Sequence, residues 1–272
     1  MRETLTYTIS ELADYINWAY FYHAWGLTGK PEEERVRLRT EAESMLREAE
    51  GKYCVKAVFG LYDACSDGDD LLLGGVRIPM LRQQRPSAPG QPCLCLTDFV
   101  RPQSMGTPDT VGAFATSVAS TMVADHRGDV YAEMMAQTLA DRLAEAAAEK
   151  LHQAVRRHYW GYAPDEDLTI EQLHAEQFQG IRPAVGYPSL PDASINFLLA
   201  ELLGMDTIGI RLTASGMMTP HASVSGFMFA HPAARYFQLG RIDEEQLADY
   251  AHRRGVPVSI MRKFLQSSLL PS

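Results

Sequence analysis

Arg182 and Tyr187 stand in the stretch GIRPAVGYPSLP, residues 180–191, which holds three prolines and two glycines. Proline fixes part of the backbone, so such a turn is held still at little entropic cost. A still turn suits the presentation of side chains to a ligand, and it equally suits a structural corner. The guanidinium of Arg182 is a natural fork for a carboxylate, so the chemistry on offer is recognition of a small anion. Its competing use is solvation or pairing within its own chain, as for most arginines. Glu145 recurs at four-residue spacing with Asp141 and Glu149. That is either a ligand-facing acid or one member of a solvated acidic stripe. Tyr187 and Tyr236 are of the right type to stack on or cover a planar ring.

Other chemistry is missing. The 272 residues contain no G-x-G-x-x-G, no P-loop, no H-E-x-x-H and no G-x-S-x-G. The usual dinucleotide and triphosphate cradles, zinc-protease helix and serine elbow are therefore not expected. Cys93 and Cys95 could ligate a metal, but nothing pairs with them; the competing reading, two cysteines on one face of a buried strand, is favoured. No metal is expected. A net charge of −9 argues against a nucleic-acid partner. No apolar run approaches the roughly 18–20 residues of a membrane span. Glu3 and Glu11 interrupt any signal sequence. The expectation is a cytoplasmic protein with no membrane partner, and its four cysteines make no disulfide framework.

The elements that must position these residues can be read from caps and periodicity. Thr8 and Glu11 form a capping box that opens a helix through Leu12, Tyr15, Ile16 and Tyr20. PEEERVRLRTEAESMLREAEG reads as a charged helix. YCVKAVFGLYDACSDGDDLLLGGVRIP reads as two strands around a turn, and CLCLTDFV as a strand. A long helix is predicted from about Val130 to Tyr159, because Leu139, Leu143, Ala147, Leu151 and Val155 make one apolar stripe. Thr169 and Gln172 cap a short helix ending near Gly180. A helix from Asp192 to Leu203 closes at Gly204. IGIRLTASGMM and ASVSGFMFAHP read as strands. Asp243 and Gln246 cap a helix stopped by Gly255, and a last helix covers about Val258 to Leu265. Long helices mixed with scattered strands give an α+β class. Loops at 84–92 and 101–110 are candidate boundaries, but one domain over 1–272 is the expectation adopted. Composition and spacing go no further than an α+β domain with a small-anion site.

Longer segments carry a resemblance. DRLAEAAAEKLHQAVRRHYWGYAPDEDL, EQFQGIRPAVGYPSLPD, IGIRLTASGMMTPHASVSGFMFAHPAARYF and LADYAHRRGVPVS resemble the activation domain of cobalamin-dependent methionine synthase. YINWAYFYHAWGLTGK, LRQQ, LTDFVRP and VGAFATSVA fit the same family, in its order and over nearly the whole chain. The resemblance implies a C-shaped α+β fold with a mostly antiparallel sheet and long helices. It implies binding of S-adenosylmethionine in a shallow groove without a Rossmann glycine loop. The methyl donor would be presented to an oxidised cobalamin on another domain, and a flavodoxin-like protein would supply one electron. Such a domain does no chemistry alone; it supplies position and electrostatics.

Carried over position by position, Arg182 matches the arginine that contacts the methionine part of the donor. Ala184 and Tyr187 match the same loop. Glu145 matches a helix glutamate near the polar groups, and Glu176 the acid just before the loop. Tyr236 and Phe237 match an aromatic pair beside the adenosine. Two departures stand out. Asn17 replaces the family's usual Asp, exchanging a charged hydrogen bond for a neutral one, and Phe237 stands where Tyr is common. The cobalamin signature D-x-H-x-x-G is absent, so the expectation is a stand-alone chain whose cobalamin sits on a partner. The alternative is a docking module that kept the fold, lost the donor and binds a corrinoid protein.

Overall fold

The computed structural model describes residues 1–270. Its centre is an antiparallel sheet, built from β1 (Arg2–Tyr7), β2 (Val55–Asp67), β3 (Asp70–Leu73), β4 (Val76–Pro79) and β5 (Asp109–Val118). After the small pair β6 (Arg211–Leu212) and β7 (Met218–Thr219), the chain adds β8 (Ser223–Met228) to the same sheet. The order is β4-β3-β2-β5-β8. β1 shares an edge of β2 with β3, pairing Val55–Gly60 while β3 takes Ala64–Asp67.

Successive side chains of a strand point to opposite faces. Ala57, Phe59 and Phe114 join one core, while Val58, Ala113, Ala115 and Phe227 join the other. Helices cover the first face: α1 (Ile9–Ala13), α2 (Trp18–Ala24), α3 (Glu32–Ala49) and, after the single turn α4 (Thr121–Ala124), the long α5 (Val130–Ala154). The predicted apolar stripe of α5, Leu139 to Val155, is fully buried against the sheet. A buried hydrogen bond from Thr116 Oγ1 to the Ala144 carbonyl, 2.9 Å, ties helix to strand. α5 runs on into a π turn over Val155–Tyr159. The other face is covered by α7 (Ile195–Leu203), which follows the short α6 (Ile170–His174). A third cluster joins α8 (Glu244–Arg253) and α9 (Val258–Phe264) around Tyr250 and Met261. The α+β class and the antiparallel sheet with long helices are as expected from the sequence.

Several local expectations are corrected. The helix capped by Thr8 and Glu11 does not reach Tyr20; it ends at Ala13, and Asn17 caps a second one. The YCVKAV…VRIP segment forms three strands, because Gly68 and Gly74 each turn the chain with positive φ. CLCLTDFV is not a strand: Leu96–Phe99 is one 3-10 turn, closed by the Asp98 carboxylate on the Cys95 N–H. Cys95 alone is buried there, its thiol pushed up to about 11 by burial, and Cys93 is half-buried. The Thr169-capped helix stops at His174 rather than near Gly180, and α7 begins at Ile195 rather than Asp192. IGIRLTASGMM contributes only the two short strands β6 and β7. β1 and β5 had no strand expectation.

Candidate functional site

The stiff turn is an edge strand. Ile181 exchanges backbone hydrogen bonds with Phe229 at 2.9 Å each way. The Val185 N–H donates to the Ser225 carbonyl at 2.8 Å, and the Phe227 N–H to the Pro183 carbonyl at 3.1 Å. Residues 181–185 thus extend the sheet beyond β8. Pro183 needs no N–H in this pairing, consistent with proline at an edge. The approach is close enough to demand glycine: a Cβ on Gly226 would sit 2.2 Å from the Pro183 carbonyl oxygen. The loop's polar side chains are thereby fixed to the sheet, facing α5.

Between them lies a groove of about 1140 Å³. Asn17, Glu145, Glu176, Arg182, Ala184, Tyr187, Tyr236 and Phe237 all line it. They come from the start of α2, the middle of α5, the loop after α6, the edge strand and the segment after β8. The far wall is the 83–87 loop with 238–241. No glycine-rich phosphate cradle takes part.

Arg182 is not solvated. Its Nη2 lies 3.0 Å from Glu149 Oε2, each side chain being 12% exposed. Its backbone N–H donates to the Tyr236 hydroxyl at 2.9 Å. Burial works against the guanidinium charge. Glu149 first, then Tyr236, Glu145 and Glu176, more than offset it and hold the pKa above its ordinary value. The second oxygen of Glu149, Oε1, is buried with no hydrogen-bond partner among the described residues. Glu145 accepts a short hydrogen bond from the Tyr187 hydroxyl. Burial, reinforced by Glu145, raises the Tyr187 pKa. Burial also raises Glu176, with Arg182 opposing and Glu149 adding to the rise. Glu176 is the sole non-glycine residue with positive φ among the described residues, at 55°. Such a conformation is uncommon and clusters at functional sites. Asn17 has a second duty: its side-chain oxygen accepts from the Ala19 N–H at 3.1 Å, capping α2. Phe237 is buried and packs into the second core while still bordering the groove.

The acidic stripe on α5 is therefore not one solvated face. Asp141 pairs with His221 at 3.2 Å, Glu145 with Tyr187 and Glu149 with Arg182. Sequence reasoning passed over Glu149, Tyr15, Tyr20 and Arg142, which also line the groove. The four-residue recurrence of Glu145 and Glu149 was the only available signal, since it places both on one side of the helix.

Fold and groove together define a small-molecule-binding α+β domain. Its polar wall mixes the anchored Arg182 with several acids, and the groove runs along a sheet edge. The chain belongs to the activation-domain family of vitamin B12-dependent methionine synthase, whose model matches residues 8–255. A solved structure of the MetH reactivation domain bound to AdoHcy is similar to it, with 35% identity and a TM-score of 0.93. The match covers 100% of this chain and 91% of that one. Among the described residues no helix is long and apolar enough to cross a membrane.

Proposed function

We propose that the groove binds S-adenosylmethionine and that the protein presents its methyl group to an oxidised cobalamin carried by a methionine synthase module or related corrinoid protein. The observation that carries this reading is the convergence of Arg182, three glutamates and two tyrosines, from four segments, on one groove. The AdoHcy held by the similar MetH domain supports it.

The residues suit such a donor. Arg182 spends its contacts with Glu149 on a single carboxylate oxygen, so it retains donors for the ligand's carboxylate. Glu149 Oε1 is an acceptor without a partner, and Glu176 and Glu145 lie within Coulombic reach of the same point. These acids suit an ammonium or sulfonium cation. Tyr187 and Tyr236 offer ring surface to a purine. In this reading the bound donor supplies a methyl group for reductive methylation, with one electron from a flavodoxin-like partner. The chain's own residues orient the donor and complement its charges; none acts as nucleophile or base.

Calorimetric titration of S-adenosylmethionine into the wild type and Arg182→Ala tests this. Micromolar binding that weakens strongly in the variant is expected. A folded protein giving no heat, yet still captured by a corrinoid protein, would sink donor binding and leave the docking module.

A further inference from the structure

Arg142 occupies the groove without a task in the fold. It lies on α5 one turn before Glu145 and lines the groove with Tyr20, Asn17 and Tyr187. Among the described residues it forms no ion pair, and its Nε is buried without an acceptor. The adjacent Asp141 pairs with His221, and Glu145, one turn on, accepts from Tyr187 through its Oε1. The other groove arginines differ. Arg182 is neutralised by Glu149. Arg241 donates to the Ser267 and Leu269 carbonyls at 2.6 and 2.9 Å. Arg85 sits exposed on the rim loop. Arg142 is instead held near the Tyr20 ring, 5.9 Å from its centroid, on a rigid helix. A buried Nε–H without an acceptor is costly unless water or a ligand satisfies it, and in Arg142 the group lies at the groove wall. A guanidinium is best satisfied by an oxyanion that accepts two parallel hydrogen bonds.

We infer that Arg142 is a second oxyanion-binding point of the groove, separate from Arg182, recognising a carboxylate or phosphate. The inference rests on reading the groove as a ligand site. Two sources can supply the oxyanion: the carboxylate of the methyl donor itself, or an anionic group on a second molecule facing the donor. In the first case Arg142 shares the carboxylate with Arg182, whose charge Glu149 already offsets. In the second, the groove's size leaves room for both.

The test titrates S-adenosylmethionine and inorganic phosphate separately into wild type, Arg142→Gln and Arg142→Lys. Circular dichroism melts confirm that each variant is folded. A roughly fivefold or larger loss in Arg142→Gln, partly restored in Arg142→Lys, supports the inference. If that loss falls on S-adenosylmethionine, the donor's carboxylate is the source; if it falls on phosphate alone, the source is a second molecule. Retention of wild-type S-adenosylmethionine affinity within about twofold in Arg142→Gln, with phosphate either unchanged or unbound by every protein, overturns it. Failure of the wild type to bind S-adenosylmethionine would strike the donor reading instead, and the phosphate arm would still judge Arg142.

Discussion

Replacing Arg182 by alanine strips the cation from a pair that is nearly out of water. Glu149 would be left with one oxygen newly unpaired and the other, Oε1, already without a partner. With charge centres about 4 Å apart and an effective dielectric near 20, the lost attraction is about 4 kcal/mol. Breaking a buried pair by removing one partner costs about 3–5 kcal/mol for the same reason. Arg182→Ala should therefore lower unfolding stability by about 3 kcal/mol, and Glu149→Gln added to it should recover about 2 kcal/mol by removing the stranded charge. Urea unfolding of wild type, both single variants and the double variant measures this coupling. A coupling below about 0.5 kcal/mol would show that the pair behaves as an exposed one and would refute the argument. The double variant also separates folding from binding. If Arg182 holds the ligand's carboxylate, the double variant recovers stability but remains about 2–5 kcal/mol weaker for S-adenosylmethionine.

Asn17→Asp keeps the cap of α2, since the two residues are equivalent there, and adds a negative charge to the groove. Its melting should barely move, while affinity for S-adenosylmethionine, read by calorimetry, should tighten by about 1 kcal/mol, or severalfold. Gly226→Ala drives a Cβ to 2.2 Å from the Pro183 carbonyl oxygen. Overpacking of this kind costs about 1–3 kcal/mol. A thermal melt should show the loss, and displacement of the edge strand should weaken ligand binding as well. His152 is buried, and burial first, then the charges of Arg156 and Arg182, hold its pKa well below the ordinary 6.5. The unfolded chain gains that proton as pH falls through about 6.5 while the native state does not. The stability present above this pH should fall by about 1.4 kcal/mol per unit below it, until the folded pKa is reached. His152→Gln should flatten this part of the slope in urea melts between about pH 7 and 5; an unchanged slope would remove His152 as its cause.

Local signals predicted what local physics controls. Thr8 with Glu11, Thr169 with Gln172, and Asp243 cap helices as read, because a cap needs only the next three residues. The α5 stripe was legible because a helix buried on one side writes its period into the chain. β5 was not legible as a strand. Its residues from Val111 to Val118 are buried on both faces, so no alternation distinguishes it from any apolar run. The break between α1 and α2 was missed because an apolar helical spacing runs across it, and only the second cap at Asn17 marks it.

The site divides along the same line. The chain itself carries the stiff Gly180–Pro191 turn, the spacing of Glu145 and Glu149, and the family motifs that named Arg182, Tyr187 and Tyr236 as groove residues. Those follow from covalent geometry and local order. That the turn is an edge strand on β8, that Glu149 rather than solvent faces Arg182, and that Arg142 forms no ion pair among the described residues are decided by contacts between distant segments. Arg182 and Glu149 are 33 positions apart, and Gly226 must approach Pro183 for the groove to exist. Burial alone turns a common surface arginine and glutamate into a coupled pair, and burial is a property of the packed chain.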